Sequence, residues 1–191
     1  MERTMNEVYR NLLWELKPLE KGIIAIDGRC GSGKTGLGAY LLEHLHCNII
    51  HMDDFYLPLE DRQENWKAIP GGNMDFGRLI LEVLEPLGRG DAVTVRPYDC
   101  GKKDYGPEQV LEKKPLTILE GSYSLFPTLR KYYDKMIFLT CGKEIQKKRL
   151  LSREGEKYAM FEKIWIPMEE NYLAFCPTPP EAMVVDTGGL F

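Results

Sequence analysis

The sequence predicts an α/β domain of three layers, with helices on both faces of a mainly parallel five-stranded sheet, and three observations carry that expectation. Five short apolar runs, at 23–26, 49–52, 116–119, 136–139 and 183–185, have the length of buried strands. Longer helix-compatible stretches separate them, the cadence of strands joined by helical crossovers. A glycine-rich segment, Gly28-Arg29-Cys30-Gly31-Ser32-Gly33-Lys34-Thr35, follows the first run directly and leads into the first of those stretches.

Taken in order, the chain begins with Val8, Leu12, Leu13 and Leu16 at helical spacing, so residues 1–20 are expected to form an amphipathic helix packed on the domain. The same stretch carries Glu2, Arg3, Glu7, Arg10, Glu15 and Lys17, which exclude a signal-peptide core, and no apolar run reaches the length of a membrane span. Residues 34–45, 79–87, 143–151 and 161–174 can each carry helix. Gly88-Arg89-Gly90-Asp91 turns the chain before a strand-like 92–95, an added edge or short hairpin. The polar stretches 57–73 and 99–112 exceed ordinary connections and are either binding loops or surface insertions without a role. No internal repeat or low-complexity linker interrupts the chain, so residues 1–191 are read as one domain.

Composition narrows the functional classes. A net charge of -4 argues against a broad electrostatic footprint on a nucleic acid polymer, while local basic clusters could still meet a small anion. The five cysteines are scattered and show no C-x-x-C spacing, which suggests neither a disulfide framework nor a zinc site and fits the reducing cytoplasm.

The segment from Gly28 to Thr35 satisfies G-x-x-x-x-G-K-[ST] in the context that gives it meaning, after a strand and before a helix. Gly31 and Gly33 let the backbone curl so that successive N–H groups point inward, and the helix that follows presents its positive end to the same anion. Lys34 adds a mobile positive charge for the outer phosphates, and Thr35 offers a hydroxyl to Mg²⁺. This is the phosphate-binding loop of a P-loop NTPase, with Gly28, Arg29, Cys30, Gly31, Ser32, Gly33, Lys34 and Thr35 around the phosphates of ATP or GTP. The run 116–119 ends in Glu120-Gly121, which makes Glu120 the candidate second Mg²⁺ ligand, unless that acid merely faces solvent.

The second strand ends in His51-Met52-Asp53-Asp54-Phe55-Tyr56, placing paired acids at the carboxyl edge of the sheet, where open α/β sheets bind ligands. Asp53 could accept the proton of a substrate hydroxyl as that oxygen attacks the γ-phosphate. The pair could instead cap a helix or stand behind the metal. His51, Trp66, Trp165, Tyr132 and Tyr133 are read as strand or packing residues.

Gly28 to Thr35, Asp53-Asp54-Phe55-Tyr56, Arg96-Pro97-Tyr98-Asp99 and Glu120-Gly121, in this order, resemble the uridine kinase and phosphoribulokinase group of P-loop kinases, over about residues 22–185. The resemblance implies that Asp53 takes the proton of a ribose 5′-hydroxyl, that Tyr56 lines a nucleoside pocket and that Tyr98 meets the base. It further implies that Asp75 holds ribose hydroxyls, although Gly71-Gly72-Asn73-Met74-Asp75 replaces the group's usual pattern there. The group also closes a basic lid over the transferring phosphate. Lys147-Lys148-Arg149 and Arg153 stand where it would begin, at about 147–160, with Arg149 and Arg153 on one helical face; a solvated basic face is the alternative. Where the group places a histidine after Pro-x-Tyr-Asp, this chain has Cys100-Gly101-Lys102-Lys103. Asp53-Asp54-Phe55 and Trp165-Ile166-Pro167-Met168 are similar to nicotinamide riboside kinases. The expected function is ATP-dependent transfer to the primary hydroxyl of a nucleoside or related small metabolite. A phosphate-binding switch or ATPase that works through a partner is the rival from another class.

Overall fold

The computed structural model describes residues 4–189. Helix α1 (Met5–Leu16) opens on a capping box: the Thr4 hydroxyl accepts from the Glu7 amide at 3.3 Å, and Glu7 accepts from the Thr4 amide at 2.8 Å. Its apolar stripe, Val8, Leu12, Leu13 and Leu16, is buried. Strand β1 (Gly22–Gly28), helix α2 (Lys34–His44) and strand β2 (Cys47–His51) follow. Helix α3 (76–89) is one run whose middle, Ile80–Leu84, widens into a π turn.

Four two-residue strands come next: β3 (Thr94–Val95), β4 (Tyr98–Asp99), β5 (Asp104–Tyr105) and β6 (Gln109–Val110). The sequence suggests an added edge or short hairpin at 92–95 and a long connection at 99–112. Two antiparallel ribbons form instead, β3 with β6 and β4 with β5, one nested inside the other. Pro97 and Pro107 lie at the breaks, where a residue without an N–H cannot continue the ladder.

Strands β7 (Leu116–Glu120) and β8 (Lys135–Thr140), helix α4 (Lys143–Glu154), helix α5 (158–175, with a π turn at Phe161–Trp165) and strand β9 (Met183–Asp186) complete the chain. Residues 147–160 run through the end of α4, a 3₁₀ turn at Gly155–Lys157 and the first turn of α5. The central sheet has five strands in the order β2-β7-β1-β8-β9, all parallel.

Burial on both faces explains why β1 and β7 read as continuous apolar runs, whereas the edge strand β9 leaves Val184 exposed. Ile24 and Ile26 of β1 point into a core shared with Leu12, Leu16, Leu37 and Leu41 of α1 and α2. Ile23 points to the opposite core, with Phe55, Leu79, Val83 and Tyr172. The layers are thus α1 and α2, the sheet, then α3 and α5. No helix of the described residues is long and apolar enough to cross a membrane.

Candidate active site

Parallel pairing brings three strand ends to one level, because Ile26 and His51 both register with Glu120. Just beyond, β1 turns into the glycine-rich loop at Gly28, whose φ is +144° and whose added Cβ would lie 2.0 Å from the Leu139 carbonyl oxygen; only glycine passes there. Gly31 (φ +75°) and Gly33 (φ +101°) take left-handed conformations that curl the loop onto the start of α2. That start carries amide groups with no partner inside the helix. The Lys34 ammonium donates to the carbonyls of Gly28 at 2.6 Å and Arg29 at 3.1 Å, which draws it across the loop. An anion-binding cradle with its own cation is the result.

Glu120 collects two neighbours on one oxygen. The Thr35 hydroxyl donates to it at 3.4 Å, and His51 Nδ1 lies 2.6 Å away. The bond to Glu120 holds the His51 imidazole above its usual pKa, against burial, with the charges of Glu120, Asp54 and Asp53 adding to it. Thr35 and Glu120 are oxygen donors converging beside the phosphate loop, and Mg²⁺ is commonly held by one or two protein oxygens with phosphates and waters completing the shell. The donor set fits. Among the described residues no group of three or more His, Cys, Asp or Glu forms a caged metal site.

A cleft of about 810 Å³ extends from the loop across these groups to Asp53 and Asp54. Lys34, Thr35, Asp53, Tyr56, Glu120 and Arg153 all line it. Asp53 sits on a 3₁₀ turn, Met52–Phe55, that continues β2, and the Tyr56 hydroxyl donates to its Oδ1 at 2.8 Å. Burial raises the Asp54 carboxyl, with His51 opposing that shift. Arg78 of α3 braces the turn from behind by donating to the Asp54 carbonyl at 2.6 Å and the Arg96 carbonyl at 2.7 Å.

Two residues implied by the resemblance lie outside this cleft lining. Asp75 caps α3, accepting from the Arg78 amide at 2.9 Å. Tyr98 is buried in the inner ribbon, its ring edge-on to Tyr105 with centroids 5.3 Å apart. The two arginines of α4 also divide. Arg149 donates to the Gly31 carbonyl at 3.1 Å and to the Thr187 carbonyl at 2.7 Å, tying the phosphate loop to the turn after β9. Arg153 reaches the cleft and pairs with Glu154 at 2.7 Å.

Sequence reasoning missed a second set of cleft residues. Phe161, Trp165 and Glu169 line it from α5, and the Trp165 ring faces that of Tyr56 at 6.3 Å and 25°. Their spacing of four residues was the available signal, since it stacks side chains on one helix face. Asp27 was also missed. Fully enclosed before Gly28, it accepts from the Gly28 amide (2.6 Å), the Leu125 amide (2.9 Å) and the Tyr172 hydroxyl (2.8 Å), and burial raises its carboxyl.

Glu169 and Glu170 clasp the phosphate loop. Glu170 pairs with the Arg29 guanidinium, and the buried Glu169 accepts from the Cys30 amide and from Gln146 Nε2 at 3.0 Å. Burial lifts the Glu169 carboxyl above its usual range, while Lys34 and the Cys30 amide offset part of that shift. A carboxyl raised in this way binds its proton more tightly in the folded chain, so ionisation costs stability as the pH rises from the ordinary carboxylate range through the raised value. Glu169→Gln keeps an acceptor for the Cys30 amide and removes that cost. Its melting temperature relative to wild type is expected to gain more at pH 8 than at pH 5; an equal change at both would exclude burial of charge as the cause.

Comparison with known proteins places the geometry in context. No family model matches the chain. A probable gluconokinase of Xenopus tropicalis is 29% identical over 142 residues, covering 70% of this chain and 70% of that protein. A uridine kinase of Ligilactobacillus salivarius (strain UCC118) is 29% identical over 153 residues, covering 75% of this chain and 70% of that protein. Among solved structures, a possible uridine kinase from Bacillus stearothermophilus superposes with a TM-score of 0.73 at 18% identity, covering 95% of this chain and 99% of the other.

Proposed function

We propose that this chain, a P-loop kinase like those of the uridine kinase and phosphoribulokinase group, transfers the γ-phosphate of ATP to the primary hydroxyl of a small sugar-bearing molecule, a nucleoside first among them. The observation that carries the reading is the placement of Asp53, oriented by Tyr56, in the same cleft as Lys34, Thr35 and Glu120. A protein that only binds a nucleotide needs no oriented base in that cleft.

In this reading Asp53 takes the proton of the acceptor hydroxyl as that oxygen bonds to phosphorus and the bond to the leaving diphosphate breaks. Lys34 and the loop amides hold the phosphates, and Arg153 brings positive charge to the transferring group. Thr35 and Glu120 would hold Mg²⁺, which supplies charge neutralisation between the outer phosphates. The near-parallel Tyr56 and Trp165 rings offer a face to a planar base.

Nicotinamide riboside is a second acceptor reading. The cleft that holds these rings also contains the carboxyls of Asp53, Asp54, Glu154 and Glu169, and aromatic faces beside carboxylates suit a cationic ring. The test is ADP release from ATP across a panel of uridine, other nucleosides, nicotinamide riboside, gluconate and small sugars. Acceptor-dependent release supports the kinase reading. ATP consumption unchanged across the whole panel would favour the ATPase or switch.

A further inference from the structure

We infer that the N-terminal helix α1 forms one wall of the site for the nucleoside end of the nucleotide, with Met5 as its contact residue. The inference rests on the reading of the glycine-rich loop as a nucleotide phosphate grip and assigns the other end of that ligand.

The loop has open space on two sides. One side is the cleft that holds Asp53 and Glu120. The other is a smaller hollow of about 420 Å³ with a mainly apolar wall, to which Met5, Ile145, Arg149 and Ser152 contribute. Gly31, Gly33 and Arg153 border both, so one extended ligand laid along the loop reaches from one space into the other. A nucleoside triphosphate has that shape. Its γ-phosphate must face the acceptor acids, which sends its ribose and base out of the opposite end of the loop, into the hollow. The volume suits a small planar ligand, and the wall offers what such a ring uses. Met5 supplies a polarizable thioether, and the arginines supply guanidinium planes able to stack.

Helix α1 is pinned to the loop itself. The Tyr9 hydroxyl donates to the Gly33 carbonyl at 3.0 Å. A Cβ added to Gly33 would lie 2.7 Å from Met5 Cε and 2.9 Å from the Tyr9 hydroxyl, so the helix seats directly against the loop's last glycine. Val8, Leu12, Leu13 and Leu16 belong to the buried core. Met5 is half-buried one turn earlier, packed against the rim of that core and also lining the hollow. The capping box fixes the backbone at that position.

The test compares Mg-ATP with magnesium tripolyphosphate, which shares the phosphates and lacks the nucleoside, by titration calorimetry on the full chain. Met5→Ala preserves helix propensity and the cap, and removal of the thioether contact is expected to weaken ATP roughly tenfold, the equivalent of one buried side-chain contact. Tripolyphosphate affinity should not change, and Met5→Leu, close in volume, should restore most of the ATP affinity. Unchanged ATP affinity in Met5→Ala would overturn the inference. So would equal weakening of both ligands, because α1 would then act only through the loop. A wild-type chain that binds neither ligand would instead refute the phosphate-grip reading on which the inference rests.

Discussion

Asp53→Asn is expected to lower acceptor phosphorylation by about 10²–10⁴-fold, the usual contribution of a positioned general base, while ATP binding stays at the wild-type level. Asparagine keeps the shape of the side chain and an oxygen for the Tyr56 hydroxyl, which now donates to Asp53 Oδ1 at 2.8 Å. What it cannot do is take up a proton at neutral pH. Single-turnover phosphorylation with the best acceptor of the panel, alongside calorimetric titration of ATP, separates the two effects. A variant that transfers phosphate within a few-fold of wild type would remove Asp53 from the role of base. Loss of ATP binding would mean that the change had disturbed the strand end rather than the chemistry.

Lys34→Ala should be nearly as damaging, with kcat/KM down by roughly 10²–10³-fold, the scale seen when one preorganised donor to developing charge is removed. The ammonium is buried and held by the carbonyls of Gly28 and Arg29, so its charge is already in place before a ligand arrives. Lys34→Arg is not expected to rescue activity, because a planar fork cannot repeat the compact point charge within the same turn of backbone. The measurement is steady-state kinetics with ATP varied at saturating acceptor, together with a thermal melt. An unchanged melt with collapsed kcat/KM assigns the loss to the site, whereas wild-type kinetics in Lys34→Ala would remove the lysine from the phosphate grip.

How far the sequence could be read depended on whether a feature was local. The glycine-rich loop, the five apolar runs and the N-terminal stripe declare themselves within a few residues, and each falls on its element, although 183–185 forms an edge strand rather than a buried one. The order β2-β7-β1-β8-β9 is a long-range property, and the apolar runs carried the existence of the strands but not their sequence across the sheet. The nested ribbons show in the sequence only as a strand-like 92–95 and a long loop at 99–112, because two-residue ladders are too short to show alternation.

In the cleft, Asp53 and Glu120 lie where the sequence put them, Glu120 ending β7 and Asp53 on the turn just past β2. Glu169, Trp165 and Asp27 were not legible in this way. Glu169 looks like a surface acid until the fold carries α5 across the loop. Trp165 looks like a core aromatic until Tyr56 is brought beside it. Asp27 lies inside an apolar strand, and its three donors come from separate parts of the chain. Asp75 shows the reverse case: an acid before a helix has a local duty as a cap, and here the structure shows it in that duty.

The clasp made by α5 joins the two ends of the cleft. This one helix touches the phosphate loop through Glu169 and Glu170 and walls the acceptor cleft through Phe161 and Trp165. On the proposed reading, a nucleotide that repositioned the loop would move the acceptor's wall, and an acceptor that shifted the wall would move the loop. Any such coupling is reciprocal: whatever factor ATP imposed on acceptor affinity, the acceptor would return to ATP.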